Sequence, residues 1–181
     1  FSLPRCSAWL LLLALTALAL GTTHASADGL AASAFHACAL DESGLTCWGR
    51  NDYGQATVPA GLQNPSAIAA GSQYTCALDD NGVTCWGSDT NGQATVPAGL
   101  QNPSAIAAGF SHTCVIDDHG VKCWGYNWNG STAVPADLVN PTAIVARGYF
   151  TCALDDNGVT CWGENGDGQS TVPAELVCDP L

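Results

Sequence analysis

Short apolar stretches alternate with small, turn-forming residues along most of the chain, and the alternation repeats. In one unit Ile68-Ala-Ala-Gly71 is followed by Tyr74-Thr-Cys-Ala-Leu78, the tetrapeptide Asp79-Asp-Asn-Gly82, and Val83-Thr-Cys-Trp86. Each stretch is too short for a helix, rich in strand-forming residues, and bounded by Gly, Asn or Asp, which predicts short strands joined by tight turns. No window sustains a helical period. The first stretch returns as Leu30-Ala-Ala-Ser33, Ile106-Ala-Ala-Gly109 and Ile144-Val-Ala-Arg147, and the second as His36-Ala-Cys-Ala-Leu40, His112-Thr-Cys-Val-Ile116 and Phe150-Thr-Cys-Ala-Leu154. A Gly/Asn/Asp loop follows the third stretch, and a β-favouring piece ending in Val-Pro-Ala follows the loop. Four units result, at about 28–65, 66–103, 104–141 and 142–181, with a period of 38 residues. A period of this length, with three or four strands per unit, predicts an all-β protein of propeller blades. The expected architecture is four blade-like repeats of a β-propeller.

The cysteines sharpen the register. Cys38/Cys47, Cys76/Cys85, Cys114/Cys123 and Cys152/Cys161 each bracket eight residues. If Asp79–Gly82 is the hairpin loop, Leu78 faces Val83, Ala77 faces Thr84 and Cys76 faces Cys85. Opposed residues on antiparallel strands lie within the Cα separation that a disulfide requires. A cross-strand disulfide in each blade is the expectation, and reduced, buried core cysteines are the competing reading. Zinc ligands usually stand two to four residues apart, and no histidine accompanies each pair, so no metal is expected. Trp48, Trp86, Trp124 and Trp162 follow the second cysteine of each pair. Neither face of the hairpin carries a charge, so the sheet is expected to be covered on both sides. The tryptophans are then blade-core residues packing on a neighbour's Ile-Ala-Ala-Gly strand, with sugar stacking as the competing reading.

The opening segment differs. Arg5 precedes the apolar run Ala8–Leu20, and Ala25-Ser26-Ala27 follows it. A basic flank, a short apolar core and a small-x-small site predict a secretory signal peptide over residues 1–27, cleaved after Ala27 or Ala25. The run falls short of the roughly 20 residues a membrane anchor needs. Residues 28–181 are then the repeat domain, placed in a secreted, extracellular or periplasmic compartment with no membrane attachment, where disulfides persist. Cys178 has no partner in the pattern. The chain begins with Phe and contains no Met, so the natural start is expected to lie elsewhere. Sixteen acidic residues stand against four basic ones, a net charge of −12. A surface this acidic repels phosphate backbones, which disfavours a nucleic-acid partner.

The loops after Trp-Gly vary most: Arg50-Asn-Asp-Tyr53, Ser88-Asp-Thr-Asn91, Tyr126-Asn-Trp-Asn129 and Glu164-Asn-Gly-Asp167. They occupy equivalent positions and are expected to line one rim, where binding residues usually lie. Tyr53, Tyr126 and Trp128 are the candidate contact residues. Ordinary solvated turn chemistry is an equally weighted reading. The Asp/Asn turns offer oxygen ligands, but none matches a calcium loop with a closing Glu. His36 and His112 replace Tyr74 and Phe150 and read as strand residues. No nucleophile–base set, paired carboxylates or phosphate loop can be assembled, so neither catalysis nor a cofactor is expected. Asn129-Gly-Ser131 is a glycosylation acceptor in a eukaryotic secretory host.

The units Ser66-Ala-Ile-Ala-Ala-Gly…Tyr-Thr-Cys-Ala-Leu…Gly-Val-Thr-Cys-Trp-Gly and Asn-x-x-Gly-Gln…Thr-Val-Pro-Ala resemble repeats of the regulator of chromosome condensation family. The repeat length and the Gly-Gln-x-Thr-Val-Pro-Ala ending are most similar to a bacterial propeller-type β-lactamase inhibitor. The resemblance implies a seven-bladed propeller that binds a partner protein through loops on one face. The cysteine pairs depart from the inhibitor and occur in some secreted or receptor-ectodomain relatives. The expected function is a non-enzymatic module that binds another protein through rim loops. A carbohydrate-binding propeller, with Trp128 and Tyr126 stacking on a glycan, is the alternative, and β-lactamase inhibition ranks below both. Open blade stacks leave sheet faces unpaired. The ring is therefore expected to be completed by further sequence or by self-association.

Overall fold

A computed structural model of the chain describes residues 29–177. The expected leader and Cys178 lie outside the described residues. Each unit folds into one three-stranded antiparallel sheet in sequence order. Blade 1 is β1 (Gly29–Ala32), β2 (His36–Asp41) and β3 (Gly44–Gly49); blade 2 is β4 (Ala67–Ala70), β5 (Tyr74–Asp79) and β6 (Gly82–Gly87). Blade 3 is β7 (Ala105–Ala108), β8 (His112–Asp117) and β9 (Gly120–Gly125); blade 4 is β10 (Ala143–Arg147), β11 (Phe150–Asp155) and β12 (Gly158–Gly163). The Val-Pro-Ala pieces join no ladder. Proline has no N–H to donate, and these stretches run as irregular connectors.

The register is the one the cysteines require. In blade 2, Leu78 pairs with Val83, Ala77 with Thr84, Cys76 with Cys85 and Thr75 with Trp86. Asp79 pairs with Gly82, so the loop proper is only Asp80-Asn81. Asp79 shapes it: one carboxylate oxygen accepts the Asn81 N–H at 2.9 Å, the other the Gln63 N–H at 2.8 Å. Asp117 and Asp155 do the same for His119 and Gln101, and for Asn157 and Val139. The carboxylates that suggested calcium are thus occupied by backbone donors. Burial pushes Asp117 upward, but the His119 and Gln101 N–H groups and the charges of Lys122 and His119 outweigh it and hold its pKa below the usual carboxylate range.

All four expected cysteine pairs are disulfide-bonded across the hairpins. Cys38–Cys47, Cys76–Cys85, Cys114–Cys123 and Cys152–Cys161 have Cα atoms 4.0 or 4.1 Å apart. Counting alternately from the pair that closes the loop puts the cysteines at non-hydrogen-bonded sites, where opposed strands approach most closely. No described cysteine is free, which overturns the competing reading of reduced core thiols. Burial of the pairs is uneven as well. Cys38, Cys76 and Cys114 are fully buried, but their partners Cys47, Cys85 and Cys123 are only partly so, and both Cys152 and Cys161 of blade 4 are partly buried. The third strand, which carries Cys47, Cys85, Cys123 and Cys161, is the edge of each sheet. In blade 4 no following blade covers the cysteine face among the described residues, so Cys152 loses its cover too.

The blades stack face to face, with first strands side by side. One face of each blade carries the cysteines and the other the tryptophan. Between blades 3 and 4, Ala107, Cys114 and Ile116 from the first bury against Ile144, Ala153 and Trp162 from the second. Each covered tryptophan also donates its indole N–H to the loop of the preceding blade: Trp86 to the Gln55 carbonyl at 3.0 Å, Trp124 to Gln93 at 3.0 Å, Trp162 to Ser131 at 3.1 Å. Trp86 and Trp162 are buried and Trp124 is partly so. Trp48 departs from the expectation of a core residue. It is 52% exposed, because no blade precedes blade 1 among the described residues.

Candidate binding surface

The strand geometry brings two loop types to one rim: the post-tryptophan loops, and the turns between the first and second strands. Backbone bonds join them, from the Arg50 N–H to Phe35, Ser88 to Gln73, Tyr126 to Ser111 and Glu164 to Tyr149. Inside each post-tryptophan loop a repeated clamp fixes the backbone. The side-chain oxygens of Asn51, Asp89, Asn127 and Asn165 accept the N–H groups of Ala56, Ala94, Thr132 and Ser170 at 2.7 to 3.0 Å. The side-chain carbonyls of Gln55, Gln93 and Gln169 accept from Tyr53, Asn91 and Asp167. These residues hold the loop, and the side chains between them are free to differ.

In blade 3 the differing positions are Tyr126 and Trp128. Their rings lie 6.0 Å apart and 26° from parallel. Tyr149, from the turn before β11, reaches across the blade boundary to within 6.0 Å of Trp128 and 6.3 Å of Tyr126. Phe110, from the turn before β8, stacks on Tyr149 at 5.4 Å. Four aromatic rings therefore meet over the junction of blades 3 and 4, with Phe110, Tyr126 and Trp128 each at least 40% exposed. The Phe110 N–H bonds the Gly148 carbonyl at 2.7 Å, tying the two turns that carry the patch. Beside it lies a concavity of about 630 Å³, lined by the ends of the four first strands together with Phe110, Arg147 and Glu164.

The structure thus brings together two of the three residues singled out in the sequence. Tyr53 sits apart in blade 1, half-exposed, near a separate contact in which Arg50 lies over the Phe35 ring. Phe110 and Tyr149 were missed. Their signal was present: the positions just after Ile-Ala-Ala-Gly read Ala34-Phe35, Ser72-Gln73, Phe110-Ser111 and Gly148-Tyr149, as variable as the loops. In an up-down-up meander these turns leave at the same end as the loops after the third strand, so their sharing a rim follows from the strand order.

Two buried histidines lie at the blade junctions. At the blade 1–2 junction the Gln55 carbonyl accepts from Trp86 and from the Thr75 hydroxyl at 2.8 Å. Thr75, having given its proton, accepts from His36 Nε2 at 2.7 Å. That fixes the neutral Nε2–H tautomer, and the Ser33 hydroxyl donates to Nδ1 at 3.0 Å. His112 repeats the arrangement with Thr151 at 2.9 Å, but glycine stands at 109 in place of the serine and Nδ1 has no partner among the described residues. Burial lowers both imidazole pKa values, that of His112 to about 4. Each histidine serves a junction, and among the described residues their ring nitrogens meet hydroxyls rather than carboxylates.

Comparison with known proteins follows this geometry. Residues 28–55, 66–93, 104–130 and 142–169 match the profile of the regulator of chromosome condensation (RCC1) repeat. No curated protein matches the chain at a significant level. The chain is similar to the ectodomain of the Physcomitrella patens receptor kinase CR4, with 30% identity, a TM-score of 0.64, and coverage of 89% of this chain and 46% of that one. The ectodomain of the Arabidopsis thaliana receptor kinase ACR4 is 28% identical, with a TM-score of 0.61 over 80% of this chain and 52% of that one. Prp20p of Saccharomyces cerevisiae, described with its binding to Gsp1p and histones, shares the fold at 16% identity, with a TM-score of 0.70 over 87% and 50%. The chain spans about half the length of these solved structures.

Proposed function

Because the chain belongs to the regulator of chromosome condensation repeat family, we propose that its blades form an exported protein-interaction module that grips its partner through the aromatic patch over blades 3 and 4. The carrying observation is the meeting of Phe110, Tyr126, Trp128 and Tyr149 from three separate loops. Clustered, half-exposed aromatics on a rigid frame contribute large contact area at little cost in side-chain entropy. Rim presentation suits the architecture, since the loops differ while the strands repeat. Export is supported by one disulfide per blade and by likeness to two receptor-kinase ectodomains. The acidic surface favours a protein over a nucleic acid.

One observation favours a second reading. The Tyr126 and Trp128 rings lie only 26° from parallel, a platform on which a sugar ring could lie flat. The two readings separate in one experiment. The wild-type protein and a Trp128→Ala/Tyr149→Ala variant are cross-linked in the host's extracellular fraction and applied to a glycan array. Retention of a protein by the wild type alone supports the protein-binding reading. Saturable glycan binding lost in the variant replaces it with the lectin reading. Capture that is identical for both proteins removes the patch from either role.

A further inference from the structure

We propose that Asn129 is an N-glycosylation site and that the first sugar of its glycan lies on the Tyr126–Trp128 ring platform. The inference rests on the export argued above, which takes the chain past an oligosaccharyl transferase. It does not depend on the aromatic patch binding a partner.

Four Asn-x-Ser/Thr tripeptides occur in the chain, at Asn64, Asn102, Asn129 and Asn140. Proline follows the asparagine in three of them, and proline at that place blocks the transfer. Those three asparagines are also built into the scaffold: Asn64, Asn102 and Asn140 donate side-chain N–H groups to Asp80, Asp118 and Asp156 at 2.6 or 2.7 Å. Asn129-Gly130-Ser131 has no proline. The Asn129 side chain is exposed and takes no part in the clamp of its loop, which Asn127 and Ser131 provide.

A single difference between the repeats supplies this acceptor. Ser131 holds the position of Gln55, Gln93 and Gln169. Those glutamines accept the N–H groups of Tyr53, Asn91 and Asp167 at 2.8 or 2.9 Å. Serine has no side-chain carbonyl to offer the Asn129 N–H, and its hydroxyl donates instead to the Tyr126 carbonyl at 2.9 Å. Without that bond Asn129 takes a φ of 49°, which Tyr53, Asn91 and Asp167 do not. Asparagine tolerates this left-handed region better than most residues. Ser131 is fully buried in the folded chain, so transfer precedes closure of the loop. The nearest disulfide, Cys114–Cys123, lies wholly before the tripeptide and leaves it outside the closed ring.

In the transfer, Asn129 Nδ2 bonds to the anomeric carbon of a lipid-linked oligosaccharide. The bond from that carbon to the lipid pyrophosphate breaks, the pyrophosphate leaves with the electron pair, and one amide proton passes to a base of the transferase. The product hangs a sugar from the residue next to Trp128, three residues after Tyr126. These two rings lie 6.0 Å apart and 26° from parallel, and both are at least 40% exposed. The C–H face of an N-acetylhexosamine laid on them covers apolar surface that otherwise meets water. The equivalent positions of the other loops read Arg50/Asp52, Ser88/Thr90 and Glu164/Gly166. Acceptor and platform therefore coincide in one loop, and the other three loops have neither.

The test takes wild-type protein from the host's extracellular fraction, reduces it, cuts it with trypsin and reads peptide 123–147 by mass spectrometry. Asn129 is expected to carry an N-acetylhexosamine-based glycan that peptide N-glycosidase releases, with Asn140 of the same peptide bare. Ser131→Gln installs the residue of the other three loops and is expected to be secreted folded but without the glycan, while Ser131→Thr keeps it. The glycan is then trimmed to its first sugar and examined by NMR. The sugar ring protons are expected upfield of their positions in the digested glycopeptide, and Trp128→Ala, which keeps the glycan, is expected to lose that shift. A bare Asn129 in the wild type, or a glycan that persists in Ser131→Gln, overturns the proposal. Sugar protons at their glycopeptide positions overturn the placement on the rings. Neither measurement uses a partner, so failure of this site and failure of the interaction module are distinct results.

Discussion

Replacing His112 by tyrosine tests the junction chemistry through its pH dependence. The substitution copies blade 2, where Tyr74 holds the same position and Gly71 stands where blade 3 has Gly109. In the native chain His112 is fully buried and donates from Nε2 to Thr151, with Nδ1 unpartnered. Protonation would create a buried N–H with no acceptor beside it, so burial lowers the pKa to about 4. In the unfolded chain the imidazole returns to an ordinary value near 6.5. Between these values the unfolded state binds the extra proton, and folding loses stability as pH falls. The contribution is fully present above about pH 6.5, falls by about 2 kcal/mol at pH 5, and is down by roughly 3 kcal/mol below pH 4.

Urea unfolding at pH 7 and pH 5 measures this directly. With a slope of about 2 kcal/mol per molar, the His112 contribution moves the wild-type midpoint down by about 1 M on acidification. His112→Tyr removes that part of the shift and leaves the part due to other groups. His36 is among those groups, with its pKa lowered in the same direction by burial, although Ser33 Oγ remains within 3.0 Å of its Nδ1. Equal pH dependence in wild type and His112→Tyr would refute the assignment of a neutral, buried His112.

Other substitutions read the scaffold. Cys76→Ala with Cys85→Ala opens a loop of sequence separation 9 and should cost about 2.5–3 kcal/mol of unfolding free energy in the chain-entropy account, measured by urea unfolding without reductant. Gly87→Ala should cost about 2–3 kcal/mol, because a Cβ at φ +102° would lie 2.7 Å from the Gln73 carbonyl oxygen. Gly82→Ala, at φ +107° with nothing within 4 Å, should cost only about 1–2 kcal/mol from backbone strain, so comparing the two melts isolates the clash. Trp86→Phe removes the indole bond to Gln55 and should destabilise by about 1–2 kcal/mol in the same assay, since Thr75 still serves that carbonyl.

The strand register was legible because repetition and the cysteine spacing constrain it together. A one-residue slip would have separated Cys38 from Cys47, Cys76 from Cys85, Cys114 from Cys123 and Cys152 from Cys161. The hairpin turns were legible for a local reason, since Asp79, Asp117 and Asp155 shape their own loops by hydrogen bonds to nearby backbone. What depends on neighbouring blades was less readable. Trp48, Trp86, Trp124 and Trp162 are the same residue in the same local sequence, yet burial of the indole is decided by the blade before it. Cys114 and Cys152 differ in burial for the mirror-image reason, since the blade after each decides it. The aromatic patch failed in the same way. Tyr126 and Trp128 stood out within one loop, while Phe110 and Tyr149 join them only when strands from two blades return to one rim.

Variation between repeats therefore carries two kinds of information. At 110, 126, 128 and 149 it changes side chains that face outward, where no scaffold bond depends on them. At 36, 74 and 112 it changes a side chain facing the next blade, while the partner there stays threonine, which bonds either a histidine or a tyrosine. His36, Tyr74 and His112 each face a threonine of the following blade. A variable position in a repeat protein can thus be a junction code as readily as a recognition site. The distinguishing feature is whether the side chain bonds a residue about one period away.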